Sequence, residues 1–121
     1  MVWKFTGDKP VYQQIMEHIR GAVLTGDYGP GSRIPAVRDL AADAKVNPNT
    51  MQRALVELER EGLLISCGTI GRYVTDDVTI LQKTKDSATS IIIRSCAQQF
   101  RALGLTMAQA AQMLLDLEKE E

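Results

Sequence analysis

The sequence predicts a mainly α chain with a small β wing: a winged helix-turn-helix domain over residues 1–75, then a two-helix dimerisation hairpin over 76–121. Three observations predict it. Asn47-Pro48 opens a helix whose apolar members Met51, Ala54, Leu55 and Leu58 recur at three- and four-residue steps, and only Lys45-Val46 separate it from a shorter helical segment. Just after Gly62, two short apolar runs, Leu63-Leu64-Ile65 and Tyr73-Val74, flank Gly68-Thr69-Ile70-Gly71, as in a hairpin. From Asp76-Asp77 the helical period returns and holds to Gly104, roughly 40 Å at 1.5 Å per residue, longer than a small domain needs for its own packing.

In chain order, Trp3 and Phe5 alternate with Lys4 in a segment that reads as extended before Gly7-Asp8. From Pro10 to about Leu24, Val11, Ile15, Ile19, Ala22 and Val23 form a helical stripe that Thr25-Gly26 ends. His18 falls beside this stripe with no second His or Cys near it, and reads as a surface residue. Asp27 to Ser32 is dense in turn formers, so the chain bends before Ile34-Pro35 and a short helix over Ala36–Ala44. Asn47 is a good N-cap for the next helix, since its side-chain oxygen can accept an orphan backbone N–H, and Pro48 loses no hydrogen bond at the first helical position.

The long helix carries Leu81, Ala88, Ile91, Ile92, Cys96, Phe100 and Leu103 among its apolar members. Thr106 with Gln109 makes a capping box for a last helix striped by Met107, Ala110, Ala111, Leu114 and Leu117. A hairpin of two such helices has more apolar surface than it can bury alone. The expected partner is the same hairpin of a second copy, with Leu81, Ala88, Ile91, Ile92, Cys96, Phe100, Leu103 and Leu114 at the dimer interface.

Composition bounds the function. A chain of 121 residues, 45% apolar, has the size and core of one domain with an appended helical piece. Cys67 and Cys96 stand far apart with no ligand-like spacing, so no zinc or redox motif is present; Cys67 reads as a small packed residue. The aliphatic runs are too short to span a membrane and the N-terminus lacks a signal core, which implies a cytosolic protein. With one His, no phosphate-binding glycine loop and no nucleophile elbow, an enzyme is not expected, nor a cofactor or metal.

The chemistry that remains is the polar face of the Asn47 helix. Asn49, Thr50, Gln52 and Arg53 lie opposite its apolar stripe, and Asn and Gln can pair bidentately with adenine, Arg with guanine. Such a helix suits the DNA major groove. The net charge of −1 gives no global attraction to nucleic acid: residues 1–75 hold nine Lys/Arg against eight Asp/Glu, and the remainder five against seven. Phosphate attraction must then come from local clustering, with Arg33, Arg38, Lys45 and Arg53 as candidates, joined at the wing by Arg72 and by the close approach that Gly71 permits. For Arg38 the competing role is a surface ion pair with Asp39 or Asp43. The competing reading of the whole chain is a winged-helix module for protein interaction, without specific DNA binding.

Across the first two-thirds of the chain, the order Pro10-x-Tyr12-x-Gln14-Ile15, Ile19-Arg20, Gly26, Pro30-Gly31, Ile34-Pro35, Arg38-x-Leu40-Ala41, Val46-Asn47-Pro48-Asn49-Thr50, Arg53-Ala54, Leu58, Glu61-Gly62 and Tyr73-Val74 resembles the DNA-binding domain of GntR-type bacterial regulators. The short tail of two helices resembles the YtrA subgroup. The resemblance implies a homodimeric, repressor-like regulator of a palindromic double-stranded operator, with Arg38, Thr50 and Arg53 matching its contact positions; Asn47 joins the DNA-binding candidates as the cap of that helix, and whether a small-molecule effector acts on the protein stays open. Three positions depart from the family pattern. Pro48 replaces an arginine that often follows the cap, Ala36 replaces a small hydroxyl residue, and Ser66-Cys67 stand where basic residues usually precede the wing glycines.

Overall fold

The computed structural model describes residues 1–121. Five helices and two strands follow in the order α1 (Val11–Leu24), α2 (Val37–Ala44), α3 (Pro48–Arg60), β1 (Leu64–Ser66), β2 (Arg72–Val74), α4 (Val78–Ala102) and α5 (Met107–Glu120). The chain divides into two compact units, Met1–Thr84 and Lys85–Glu121. The first unit runs nine residues past the boundary that composition suggests at 75/76. The first turns of α4 account for this: Leu81 packs against the core, and Ile80 lies 3.3 Å from where a Cβ on Gly62 would stand. Leu81, expected at a dimer interface on periodicity, is therefore a partly buried residue of the first unit.

The core of that unit comes from the stripes of three helices and the wing. Ile15 and Ile19 of α1 and Met51, Leu55 and Leu58 of α3 are fully buried, and Leu40, Ala41, Leu63, Leu64 and Val74 close the cluster. The ends of α2 and α3 use one device. In each, the N–H of the residue after the left-handed one returns to a carbonyl five residues back, Val46 to Ala41 and Leu63 to Leu58, which satisfies a last-turn carbonyl. After α3 the left-handed residue is Gly62, φ +81°, but after α2 it is Lys45, φ 57°. A side chain in this region costs about 1–2 kcal/mol. The helix-turn-helix turn imposes that cost, and the ammonium at the negative end of α2 offsets part of it.

β1 and β2 pair antiparallel with Leu64 opposite Val74 and Ser66 opposite Arg72. The loop before α2 joins them as a third edge: Gly31 N–H donates to Val74 O, Val74 N–H to Ser32 O and Ile34 N–H to Arg72 O, at 2.9, 2.8 and 3.0 Å. The wing is thereby tied to the helix-turn-helix. Cys67, expected as a packed residue, is exposed, because the strand ends at Ser66 and nothing layers over the tip. His18 also differs from its expectation. It is half-buried against the paired rings of Trp3 and Phe5, with Nε2 2.9 Å from Lys4 O, while Trp3 Nε1 donates to Asp43 at 2.8 Å. The N-terminal segment thus straps α1 to α2.

In α4 and α5 the pattern of burial is reversed. α4 starts at Val78 because Asp77 is used as its cap, accepting from Thr79 N–H. The expected capping box of α5 is present: Thr106 Oγ1 accepts from Gln109 N–H, and Gln109 Oε1 accepts from Thr106 N–H. Yet α4 buries no residue and α5 buries only Ala110. Ile91, Ile92, Ile93 and Leu103 are 69%, 63%, 61% and 78% exposed, and Leu114, Leu115 and Leu117 are more than half exposed. No helix of the chain is long and apolar enough to cross a membrane.

Candidate nucleic-acid interface

The N-terminal half of α3 is fixed by its own sequence. Asn47 Oδ1 accepts from Asn49 N–H at 2.8 Å and Pro48 takes the first helical position. Because Met51, Ala54 and Leu55 are held in the core, the same turn drives Asn49, Gln52 and Arg53 outward, with Thr50 half-exposed beside them. The polar face read from the sequence is one continuous surface.

Exposed cations stand on the elements that precede α3. Arg38 is exposed on the first turn of α2 and makes no ion pair; Asp43, one of its candidate partners, is engaged by Trp3 instead. Arg33 and Lys45 are likewise exposed without an acidic partner. The guanidinium carbon of Arg53 stands over the ring of Tyr12 of α1, 3.7 Å from its centroid. A cation–π contact uses up no hydrogen bond, so the guanidinium N–H groups remain for acceptors. Tyr12 is a residue the chemistry of the sequence did not single out. It precedes Arg53 by 41 positions, so no local spacing could announce the contact.

The wing meets this surface differently from expectation. Arg72, expected as wing charge, is turned inward into an ion pair with Glu59 of α3, and its Nη2 lies 3.3 Å from Gln52 Oε1. Opposite charges 13 residues apart in different elements carry no sequence signal. With Arg72 neutralised and no basic residue between Leu63 and Gly71, the tip presents Thr69 and the 60%-exposed Ile70. A shallow groove of about 260 Å³ runs between the wing and the start of α2, lined by Arg33, Val37, Gln52, Gly71 and Arg72 among others.

Gly71 holds the groove open. Its φ is +134°, and a Cβ there would stand 2.9 Å from Nε of Arg33. Gly71→Ala is therefore expected to push Arg33 off the wing and destabilise the hairpin, by about 1–3 kcal/mol from backbone strain and steric conflict. Chemical denaturation checks this, and a stability within 0.3 kcal/mol of the unaltered protein, on the order of measurement error, would refute it.

A helix-turn-helix with a hairpin wing, a polar recognition face and unpaired cations around it defines a DNA-binding protein of the winged-helix class. Comparison with known proteins gives the family. Residues 11–74 match the profile of the bacterial regulatory proteins of the gntR family, and the chain belongs to that family. It is 34% identical over 103 residues to the uncharacterised HTH-type transcriptional regulator YhcF of Bacillus subtilis, covering 85% of each chain. With the HTH-type transcriptional repressor YtrA of the same organism it shares 38% identity over 68 residues, 56% of this chain and 52% of that one. A GntR family transcriptional regulator from Listeria monocytogenes superposes with a TM-score of 0.86 at 28% identity, over 93% of this chain and 98% of the other. The DNA-binding domain of AraR, solved in complex with operator ORX1, matches with a TM-score of 0.58 at 28% identity over 62% of this chain and 96% of that one. The protein is thus a DNA-binding transcription regulator and not an enzyme.

Proposed function

We propose that the protein is a homodimeric repressor acting in the cytoplasm, which reads a pseudo-palindromic operator by placing the N-terminal half of each α3 in the major groove. The observation that carries this reading is the exposed Asn49, Gln52 and Arg53 on one face of α3, with Thr50 half-exposed beside them, together with the exposed and unpaired Arg33, Arg38 and Lys45 on the elements before it. Asn49, Gln52 and Arg53 supply donors and acceptors for base edges, while Arg33, Arg38, Lys45 and the Asn47 cap address phosphates. The bare apolar surface of α4 and α5 supports the dimer, since a stripe this large is stable when a like surface covers it. The family likeness to a named repressor supports repression, which occlusion of a promoter by a dimer would achieve.

Half-sites are expected about one helical turn apart, ~34 Å, or a small multiple of it. Titration of a random duplex library at two salt concentrations tests the reading. Enrichment of a two-fold sequence and a steep salt slope are expected, and the absence of both would leave a protein-interaction module as the function. Within the enriched operator, Arg53→Ala should cost ~1–3 kcal/mol and relax one base position, whereas Arg38→Ala should weaken specific and random DNA alike and lower the salt slope by about one. Unchanged operator affinity for Arg53→Ala would remove that residue from base readout.

A further inference from the structure

Arg53 is exposed on the polar face of α3, where so long a side chain has many rotamers open to it. Its local partner would be Glu57, one turn on, at the spacing where opposite charges pair along a helix. That pair does not form. Glu57 Oε1 accepts instead from Nη1 of Arg60 at 2.8 Å, and the Arg53 guanidinium stands over Tyr12 of α1, 3.7 Å from the ring centroid. Its own helix leaves the charge of Arg53 unpaired, and a second helix holds it.

The ring is a fixed surface. Tyr12, Ile15 and Ile19 recur at three- and four-residue steps on one face of α1. Ile15 and Ile19 are fully buried in the core they share with Met51, Leu55 and Leu58 of α3, and Tyr12 is partly buried at the edge of the same cluster. The packing of α1 on α3 therefore sets where the ring stands. The face of an aromatic ring is negative and attracts a cation, and a guanidinium held this way keeps its N–H donors. The Tyr12 hydroxyl accepts from its neighbour Gln13, whose Nε2 is 3.3 Å away, so the ring and not the hydroxyl holds Arg53.

This tether bears on base readout. An unrestrained arginine can swing between the O6 and N7 acceptors of guanine at one pair, those of the next pair, and a phosphate oxygen. Whichever it binds, its lost rotamer freedom is subtracted from the affinity. A guanidinium already confined over a ring has fewer acceptors in reach and less freedom to lose.

We propose that Tyr12 is a positioning residue for base readout: its ring confines the Arg53 guanidinium so that the donors meet guanine at one base pair. The proposal rests on the operator-binding reading above and adds α1 to the elements that set specificity.

The test recovers sequences from a randomised duplex library with the unaltered protein, Arg53→Ala, Tyr12→Leu and Tyr12→Phe, and measures their affinities for the enriched operator and for a random duplex. The position whose preference vanishes in Arg53→Ala marks the pair read by Arg53. There Tyr12→Leu should weaken the preference for guanine about two- to fivefold, the worth of one exposed cation–π contact, while the affinity for random DNA and the salt slope stay unchanged. Tyr12→Phe keeps the ring and should keep the preference. Combined with Arg53→Ala, Tyr12→Leu should have no further effect on operator affinity, whereas a packing role alone would lower it with or without Arg53. Proton NMR of the unaltered protein gives a reading that does not depend on the folding of Tyr12→Leu: the Arg53 side-chain signals should be displaced upfield by the ring and remain so when the operator binds. A guanine preference undiminished in Tyr12→Leu, an operator affinity that rises in Tyr12→Leu, or an equal loss in Tyr12→Phe would each overturn the proposal. So would Arg53 signals that leave the field of the ring on operator binding, or an Arg53→Ala profile identical to the unaltered one. Recovery of no common sequence by the unaltered protein would instead overturn operator binding itself.

Discussion

Ile92→Asp is expected to leave the first unit folded while lowering operator affinity on the order of 100-fold or more, by removing the proposed dimer that would link two half-sites. Ala88, Ile92, Cys96 and Phe100 follow one another at four-residue steps and form a single ridge along α4. Ile92 is 63% exposed in the single chain, so a carboxylate there costs the isolated chain little, within about 0.5 kcal/mol. In an interface covered by a second copy the same carboxylate would be desolvated without a partner, a penalty of several kcal/mol. Light scattering coupled to sizing chromatography reads the effect directly. A dimer that survives Ile92→Asp at micromolar concentration would show that this ridge is not the contact, whatever the operator affinity. The consecutive run Ile91-Ile92-Ile93 spans about 200° of helix circumference, so a single flat partner cannot cover all three. A partner with two helices can, which is why a second α4–α5 pair suits this surface.

Leu55→Ala is expected to have the largest effect on folding. Leu55 is fully buried in the middle of α3, in the cluster that joins α1, α2 and the wing. Removing a side chain from such a position costs about 2–5 kcal/mol, as lost transfer energy plus the cavity left behind. For a unit of 84 residues this lowers the melting temperature by on the order of 10–40 °C. Thermal unfolding followed by circular dichroism measures it. A shift below about 4 °C would mean that the core collapses around the missing atoms, contrary to the dense packing expected of an interior. The contrast with Arg53→Ala is informative, because that exposed neighbour should change DNA affinity while leaving the melting temperature nearly unchanged.

Much of the fold is legible in the sequence because its determinants are local. The Asn47-Pro48 start of α3, the Gly62 stop and the Thr106–Gln109 capping box each depend on residues within a single turn, and each is present as read. Helical periodicity likewise separates the Met51-Leu55-Leu58 face from the Asn49-Gln52-Arg53 face, since both follow from 3.6 residues per turn. Boundaries shifted where a residue was needed for a second purpose, as when Asp77 capped α4 and delayed its start to Val78.

What periodicity could not do was distinguish a stripe that meets a core from one that does not. Leu55, Leu81 and Ile92 look alike in the sequence, yet they are respectively fully buried, packed at the edge of the first unit, and exposed. That difference is set by which elements converge on each stripe. The same limit governs the polar residues. The sequence by itself determined the helix-turn-helix, the wing and the polar face of α3, because caps, glycine stops and amphipathic period act within a few residues. Only the tertiary structure decided that Arg72 turns inward to Glu59 and Gln52, that Arg53 rests on Tyr12, and that Arg38 stays unpaired. Those contacts join residues 13 to 41 positions apart, and a pair of opposite charges or a cation near an aromatic ring gains its energy only once folding brings the two within a few ångströms.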